Sequence, residues 1–321
     1  MKKSFISMVS ILSLIVCFAL TGCAGSEKGV GTKIDIGAET GAEAGAGIKT
    51  ETSTEAGAGV KTETGAEAGA DTKTVTGAGA ETTTYTNSGN DAIGIIGAME
   101  PEVRTLKEAA NIQKTTTVAG MDFCEGKLGD KDVVIVQCGI GKVNAGVCAN
   151  TLINDFGCTK IINTGVAGSL DNNIDIGDIV VSTDTVQHDF DVEAIGFARG
   201  EIPYTGLYAF PADENLRAAA VRAVSEAAPE ISVFEGRVCS GDQFISTKEQ
   251  KDTIINNFGG MCCEMEGAAI GQVCYLNETP FVVIRAISDK PDETEIVEYK
   301  EFEKTAAEHC AKIVQHMIEG M

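Results

Sequence analysis

The sequence predicts an α/β fold in which a mixed, mostly parallel central sheet is flanked by helices on both faces, within a single globular domain. Residues 91–321 have a core-forming composition over 231 residues, a length that one α/β domain can use. Along this region, apolar runs typical of buried strands alternate with segments of helical periodicity. Segments containing glycines and carboxylates follow several of these runs, and such folds bind ligands at the carboxyl ends of strands.

The first predicted elements are a strand, a helix and an antiparallel pair of strands. Residues 93–98 form an apolar strand, and Pro101 begins a helix through Ala110 because proline is tolerated in a first helical turn. The segment TTTVAGMDFCEGKLGDKDVVIVQCG predicts an antiparallel pair that turns at Gly129 and Asp130.

The elements that follow continue the alternation of strand and helix. The predicted strands are KIINTG, GDIVVST, SVFEGRVCSGD and PFVVIRAISD, and the predicted helices cover residues 143–156, 212–228, 266–275 and 299–318. The last helix is amphipathic and closes the domain.

The N-terminal sequence predicts that the protein is exported and anchored to a membrane by a lipid. Lys2 and Lys3 precede an apolar stretch that is short for a membrane span, and small residues follow it, which is typical of a secretory signal. Its end, Leu20-Thr21-Gly22-Cys23, resembles a bacterial lipobox, which implies that residues 1–23 are the signal and that Cys23 carries the lipid. The alternative is an uncleaved anchor. Both predict an extracytoplasmic protein, and the first anchors it to the outer face of the bacterial cell membrane.

Residues 24–90 predict a disordered tether. AGAGIKTET begins at Ala44, AGAGVKTET at Ala56 and AGADTKTVT at Ala68, which gives a period of twelve residues. These repeats have too few apolar side chains to offset the entropy of ordering them. A flexible coil of this length spans roughly 45 Å, enough to hold a domain away from a membrane.

The charge and histidine content of residues 91–321 exclude two classes of function. The region has 37 acidic and 18 basic residues, a net charge of −19, which repels a nucleic-acid backbone. His188, His309 and His316 are the only histidines, and no ligand cluster surrounds them in the sequence, so we expect no metal site.

The cysteines argue against the export signal. Nine of the eleven cysteines lie within residues 91–321, none forms a Cys-x-x-Cys pair, and several occupy apolar runs as small hydrophobic residues do. An oxidising exterior threatens free thiols. A reducing or anaerobic habitat would remove this conflict.

Six segments that follow predicted strands carry a resemblance to a known family. They are GAMEPE, GIGKVNAG, NTGVAGSL, SGDQFIS, CEMEGAA and RAISDKPD. In this order and at these spacings they resemble the bacterial 5′-methylthioadenosine/S-adenosylhomocysteine nucleosidases, of the nucleoside phosphorylase superfamily. The resemblance covers residues 91–320 and implies a nucleoside phosphorylase-like fold, a homodimer, adenosyl thioether substrates and no cofactor.

The resemblance implies hydrolysis of the bond between adenine N9 and C1′ of the thioribose. Asp289 matches the acid that protonates adenine N7, and Glu102 matches the base that activates water. A carboxyl acts as an acid near neutral pH where burial or a hydrogen-bond partner keeps it protonated, and the apolar run before Asp289 supplies burial. The alternative is a purely structural role for Asp289, as a helix cap or turn residue before Pro291.

The same resemblance assigns the substrate contacts. Glu266 matches the acceptor for the ribose hydroxyls, Met265 lies against the sugar, and Phe244 and Ile245 hold adenine by stacking and by backbone groups. Core packing of Phe244 and Ile245, and a helix-dipole role for the glutamates of CEMEGAA, are equally compatible with the sequence. Further positions assigned to the substrate site are Met99, Ile140, Gly168, Ser288 and Tyr299, the last in a segment that supplies an aromatic lid. His188 falls in a loop that in the family reaches the neighbouring subunit.

Two features depart from the family pattern. Val166 replaces a small polar residue of many relatives, and Pro101 interrupts a run of three acids that ends at Glu102.

Three other functions remain open from the sequence. Phosphorolysis needs basic side chains, especially arginine, for a dianion, but the only basic residues between Gln137 and Leu170 are Lys142 and Lys160. Another 6-amino-purine substrate, such as 5′-deoxyadenosine or aminodeoxyfutalosine, requires the same machinery. A non-catalytic nucleoside-capture lipoprotein is the third, although binding alone does not require both an acid and a base.

Overall fold

A computed structural model describes residues 72–74, 84–86, 91–290 and 295–321. Within the predicted tether, strands β1 (Thr72–Thr74) and β2 (Thr84–Thr86) pair antiparallel. A lone ribbon of this length is marginal in water. The rest of residues 24–90, the signal and Cys23 lie outside the described residues, so their predicted roles stay predictions.

The domain is built on a mixed sheet of ten strands within the described part of the chain. They are β3 (Ile93–Gly97), β4 (Lys114–Val118), β5 (Met121–Leu128), β6 (Lys131–Gln137), β7 (Lys160–Ser169), β8 (Ile179–Gln187), β9 (Phe210–Pro211), β10 (Val233–Ser240), β11 (Cys262–Glu264) and β12 (Phe281–Asp289). The order is β11-β10-β8-β12-β7-β3-β6-β5-β4, with β9 paired to β8. The strands β6, β3, β7 and β12 at its centre are parallel.

Five of these strands close into a ring. β12 pairs with β7 and β8, β10 pairs with β8 and β11, and β11 pairs antiparallel with β7. Closure pairs both edges of β7, β12, β8 and β10 and brings β11 back beside β7. The pairing brings parts of four strands together, because Gly168 of β7 pairs with Cys263 of β11 and with Asp289 of β12, and Ser240 of β10 pairs with Glu264 of β11.

Helices cover both faces of the sheet, as predicted. They are α1 (Glu100–Ala109), α2 (Lys142–Asn154), α3 (Glu214–Ala227), α4 (Lys248–Phe258), α5 (Gly267–Leu276) and α6 (Glu295–Glu319). One apolar core lies between the sheet and α1, α3 and α6, and the other lies beneath α2 and α5. Ile95 and Ile284 belong to the first core, and their neighbours Ile96 and Val283 belong to the second. Strands buried on both faces read as continuous apolar runs, which is why the sequence revealed them.

Several predicted boundaries and elements were wrong. The predicted antiparallel pair is a three-stranded meander of β4, β5 and β6, with an additional turn at Ala119 and Gly120. The strand predicted at KIINTG continues to Ser169, and the helix predicted from Glu266 begins at Gly267.

Four elements of the domain were missed: β9, α4, β11 and a 3₁₀ helix of three residues, Glu193–Ile195. Helix α4 carries a local start signal, because Thr247 accepts a hydrogen bond from Gln250 N at 3.2 Å and the Gln250 side chain accepts from Thr247 N. This reciprocal capping box is readable from the sequence.

Neither a membrane-spanning helix nor a metal-binding cluster is present among the described residues. No helix in these ranges is long and apolar enough to cross a membrane. The same part of the chain contains no group of three or more His, Cys, Asp or Glu side chains arranged to hold a metal ion.

Candidate active site

A cleft of about 560 Å³, open to solvent, lies at the carboxyl ends of the central strands. The eleven residues of the domain that the sequence assigned to catalysis or substrate binding all line it: Met99, Glu102, Ile140, Gly168, Phe244, Ile245, Met265, Glu266, Ser288, Asp289 and Tyr299. They come from the last residues of β7 and β12, from segments that follow β3, β6, β10 and β11, and from α6.

Glu102 lies in the first turn of α1 and is buried at the base of the cleft. Its Oε2 accepts hydrogen bonds from Ala98 N at 2.6 Å and Met99 N at 2.9 Å, and its Oε1 accepts from Val166 N at 3.0 Å. Burial raises the pKa of Glu102, while Arg285 and the three N–H donors oppose the rise. A carboxylate has about four lone-pair positions, so one on Oε1 is left for a further donor.

A buried arginine connects the acidic groups of the cleft. Arg285 of β12 is 1% exposed and donates from Nη2 to Asn163 Oδ1 at 2.6 Å and to Glu264 Oε2. Its Nη2 also lies 3.5 Å from Glu266 Oε2. Burial alone lowers the pKa of Arg285, but the carboxylates of Glu264, Glu266 and Glu102 raise it above its ordinary value.

Glycine is required beside this arginine. A Cβ at Gly165 would overlap Arg285 Nη1 and lie 2.5 Å from Glu102 Oε1. The bare backbone of β7 therefore lets the guanidinium and the carboxylate pack against it.

Glu264 holds the start of α5. Its oxygens accept from Glu266 N at 3.0 Å and from Gly267 N at 2.8 Å, and Ser240 Oγ donates to Oε1. An anion at a helix N-terminus satisfies N–H groups that have no partner within the helix. The helix-capping reading is therefore correct for Glu264.

Glu266 has a different environment. It occupies the position before α5 but makes no cap bond there, and its Oε1 instead accepts from Gly141 N at 2.9 Å. Burial, followed by the neighbouring Glu264, raises the pKa of Glu266 to about 7, against the opposing effect of Arg285. Glu266 is therefore a buried acceptor that changes charge near neutral pH.

Asp289 reaches the cleft through an irregularity in β12. The pairing of β12 with β7 shifts between Ile287 and Asp289, so Ser288 is the extra residue of a β-bulge. Adjacent residues of a regular strand face opposite sides. Here Ser288 and Asp289 both line the cleft, and Ser288 Oγ donates to Asp289 Oδ1 at 2.6 Å.

Gly168 lets the opposite strand approach Asp289. A Cβ at Gly168 would lie 2.9 Å from Asp289 Oδ2 and 3.5 Å from Cys263 Sγ. The absence of a side chain at Gly168 therefore lets the Asp289 carboxyl pack against the backbone of β7.

Aromatic and sulfur-containing side chains form the mouth of the cleft. The rings of Phe244 and Tyr299 meet edge to face with centroids 5.4 Å apart, and Tyr299 Oη donates to Met99 Sδ at 3.4 Å. Burial, together with nearby acids, raises the pKa of Tyr299 to about 12, so its hydroxyl stays protonated at neutral pH. Phe244 is 44% exposed, which leaves a face free for a ligand.

Some residues of the site were missed by sequence reasoning. Arg285 and Asn163 lie inside apolar strands, where a single polar residue was the available signal. Cys263 and Gln243 also line the cleft. His188 is buried against Gly241 and does not line it.

The charge of the cleft is strongly acidic. Glu102, Glu264, Glu266 and Asp289 line it, and no Lys, Arg or His is among the described residues that do so. The two lysines between Gln137 and Leu170 form ion pairs outside the cleft: Lys142 Nζ lies 2.5 Å from Asp189 Oδ1, and Lys160 Nζ lies 2.5 Å from Asp91 Oδ1.

Comparisons with known proteins identify the family of this chain. The family model of the phosphorylase superfamily matches residues 92–319. A 5′-methylthioadenosine/S-adenosylhomocysteine nucleosidase of Shewanella pealeana is 42% identical over 230 residues, which cover 71% of this chain and 99% of that protein.

Solved structures show the same relationship. The Neisseria meningitidis nucleosidase of the same name, in complex with methylthio-immucillin-A, has a TM-score of 0.70 and 39% identity, covering 72% of this chain and all of that one. Futalosine hydrolase of Helicobacter pylori has a TM-score of 0.69 and 32% identity, covering 72% of this chain and 98% of that one. The chain therefore belongs to the phosphorylase superfamily and, within it, to the 5′-methylthioadenosine/S-adenosylhomocysteine nucleosidase family.

Proposed function

We propose that this protein hydrolyses the N-glycosidic bond of 5′-methylthioadenosine and S-adenosylhomocysteine, and of 5′-deoxyadenosine, releasing adenine and the sugar. The observation that carries the proposal is the convergence of Glu102 and Asp289 in one cleft beside Glu266. The names of the relatives support the substrate class.

In the proposed reaction the C1′–N9 bond breaks and its electron pair goes to adenine. Asp289 gives a proton to N7, which makes adenine a neutral leaving group. A water held at Glu102 Oε1 forms the new bond to C1′ and gives a proton to Glu102. Burial raises the pKa of Glu102, which strengthens it as a base.

The remaining lining residues bind the substrate in this scheme. Glu266 accepts from both ribose hydroxyls, and Phe244 stacks on adenine while backbone groups of Ile245 read its edge. Met99 and Tyr299, in contact through Oη and Sδ, close the apolar end that receives the thioether. Because Glu266 already accepts from Gly141 N, its orientation is fixed before substrate binds.

Charge favours water over phosphate as the nucleophile. A phosphate dianion in a cleft lined by four carboxylates would be repelled, and Arg285 is already held by Glu264 and Asn163. Hydrolysis requires only a neutral molecule at this position.

Incubation of the full-length chain with methylthioadenosine in phosphate-free buffer tests the proposal. We expect adenine and free methylthioribose in equal amounts. A strict requirement for phosphate would assign a phosphorylase instead, and binding without turnover would assign a nucleoside-capture protein.

A second candidate substrate is a futalosine-type nucleoside such as aminodeoxyfutalosine. The structural similarity to a futalosine hydrolase is the reason to test this nucleoside as a substrate. Comparison of kcat/KM for aminodeoxyfutalosine, methylthioadenosine and adenosylhomocysteine ranks the candidates, and we expect the adenosyl thioethers to rank first.

We further propose a homodimer formed through the exposed face of α2. Val143 is 76% exposed and Val147 is 40% exposed, beside Ile140 at 54%. Apolar side chains at this spacing form one stripe of a helix and favour burial against a second copy. Light scattering should give twice the chain mass, and Val143→Lys should shift the protein toward monomer.

Finally, we propose that Cys23 anchors the protein outside the cytoplasm and that residues 24–90 hold the domain off the membrane. The support is the lipobox-like sequence and the repeat composition. In a bacterial host, Cys23→Ala should prevent labelling with a fatty-acid probe. A wild-type protein found wholly in the cytosol would contradict this proposal.

A further inference from the structure

Three charged residues just outside the cleft join the loops that follow β6, β8 and β10. Lys142 N donates to Asp242 Oδ1 at 2.8 Å, and Asp242 N donates to Asp189 Oδ2 at 2.9 Å. Lys142 Nζ closes the ring by donating to Asp189 Oδ1 at 2.5 Å. None of the three lines the cleft.

This ring supplies a cap that α2 cannot supply itself. Gly141, the residue before α2, has no side chain, and its φ of 101° is disfavoured for other residues. Its own N–H donates to Glu266, and the next N–H, of Lys142, donates to Asp242. Two carboxylates from distant loops therefore complete the N-terminus of α2.

Two glycines, Gly141 before Lys142 and Gly241 before Asp242, leave the space that the ring needs. A Cβ at Gly141 would lie 3.1 Å from Asp242 Oδ1, and a Cβ at Gly241 would lie 3.0 Å from Asp189 Cγ and overlap the His188 ring. Backbone without side chains at these two positions thus admits the carboxylates.

The ring controls two groups that do face the cleft. Gly141, whose N–H holds Glu266 Oε1, directly precedes Lys142. Asp242 begins the loop that carries Phe244 and Ile245. We propose that Lys142, Asp189 and Asp242 form a positioning clamp, which keeps Gly141 N–H on Glu266 and seats the adenine loop without touching substrate.

The clamp has an electrostatic consequence at Glu266. The Gly141 N–H lowers the pKa of Glu266 against the rise caused by burial and Glu264. The other charged or titratable groups that interact with Glu266 are Arg285 of β12, Glu102 of α1, Tyr299 of α6 and Cys138, which follows β6. Because none of these belongs to the clamp, opening the clamp removes the Gly141 bond alone and raises the pKa of Glu266 further.

The proposal rests on the proposed function of Glu266 as the ribose ligand, so kinetics with methylthioadenosine give the first test. In Asp189→Asn one of the two acceptors is lost, and in Asp242→Ala the acceptor for Lys142 N is lost. For both variants we expect KM to rise about tenfold or more, because each loses a hydrogen bond to a charged group. We expect kcat to change less than KM. The acid limb of kcat/KM should move to higher pH.

Two further variants separate positioning from general destabilisation. Asp242→Asn keeps an oxygen for Lys142 N and should restore KM. Lys160→Met removes an ion pair of the same length, to Asp91, far from the clamp, and should leave KM and the pH profile unchanged. An unchanged KM and pH profile in folded Asp189→Asn, or equal damage from Asp242→Asn and Asp242→Ala, would overturn the clamp.

A measurement without substrate distinguishes failure of the clamp from failure of the proposed function. Carboxyl ¹³C NMR titration, assigned with Glu266→Gln, should show a higher pKa for Glu266 in Asp189→Asn than in the wild type. This shift is expected whichever nucleoside the enzyme hydrolyses. An identical titration in both proteins would overturn the clamp even if methylthioadenosine is hydrolysed.

Discussion

Two carboxylates in the same short segment, Glu264 and Glu266, have different structural roles. Glu264 accepts from the first N–H groups of α5 and pairs with Arg285, so its oxygens are occupied by the protein. Glu266 accepts one N–H from Gly141 and otherwise faces the cleft. The functional reading thus suits Glu266, and the capping reading suits Glu264.

At the residue scale, Asp289→Asn and Glu102→Gln should each lower kcat by at least about 100-fold, because proton transfer by a positioned group contributes 10²- to 10⁴-fold. Asp289→Asn should keep the melting temperature of the wild type. Glu102→Gln should lower it modestly, because the amide NH₂ would face one of the three backbone N–H donors. Steady-state kinetics and thermal melts measure both effects. Either variant retaining more than a tenth of kcat would contradict its assigned role.

The pKa of Glu266, raised to about 7, predicts the pH dependence of substrate binding. The ionised form accepts from the ribose hydroxyls, so kcat/KM should fall as pH decreases below about 7, where Glu266 takes up a proton. A pH profile of kcat/KM measures this limb. In Glu266→Gln the limb near pH 7 should disappear along with most ribose affinity, and its survival would assign the ionisation to another group.

At the element scale, irregularities in otherwise regular elements place the side chains of the site. The bulge at Ser288 directs two successive residues of β12 into the cleft. Helix α2 begins at a glycine and is capped by side chains from other loops. Such devices are common next to active sites, where a regular strand or self-capped helix would aim the chain elsewhere.

Two glycines in neighbouring elements should respond oppositely to alanine. At Gly146 in α2 a Cβ would lie 3.8 Å from Val273 Cγ2, an ordinary contact, so Gly146→Ala should stabilise the protein by up to about 1 kcal/mol through helix propensity. At Gly165 in β7 the Cβ would overlap Arg285, so Gly165→Ala should destabilise by about 2 kcal/mol or more and lower activity. Urea unfolding measures both. A neutral Gly165→Ala would show that the arginine can move away without cost.

At the scale of the whole molecule, burial reconciles free thiols with the export that we propose. The nine cysteines of the described residues are all unpaired and buried. Burial raises the pKa of eight of them, to about 12 at Cys138 and Cys158, so the reactive thiolate is scarce at neutral pH. Burial therefore limits the reactivity of these thiols in the folded domain.

Thiol titration of the mature protein tests this interpretation. With Ellman's reagent we expect less than one equivalent of domain thiol to react within minutes in the native state, and all nine to react at once in denaturant. The unfolded sample serves as the control for reagent and concentration. Rapid reaction of several thiols in a protein that stays folded would show that burial does not protect them.

Much of the fold was readable from the chain because its signals are local. Buried strands such as β7 and β12 are continuous apolar runs, and Pro101 marks the start of α1 within one residue. β11 was missed because three residues, Cys262–Glu264, carry too little pattern. The meander was misread because its first turn, at Ala119 and Gly120, lacks the residues typical of a tight hairpin turn.

The sequence by itself determined the α/β class, the segments that line the cleft and the family, because these depend on periodicity and on motifs in a fixed order. Its predictions of export and tethering stay predictions. Only the tertiary structure decided that Glu264 caps α5 while Glu266 accepts from Gly141 N, that Arg285 contacts both of these carboxylates, and that Lys142 pairs with Asp189 outside the cleft. Those outcomes depend on distances between residues far apart in the chain, and such distances are set when the ring of β7, β12, β8, β10 and β11 closes.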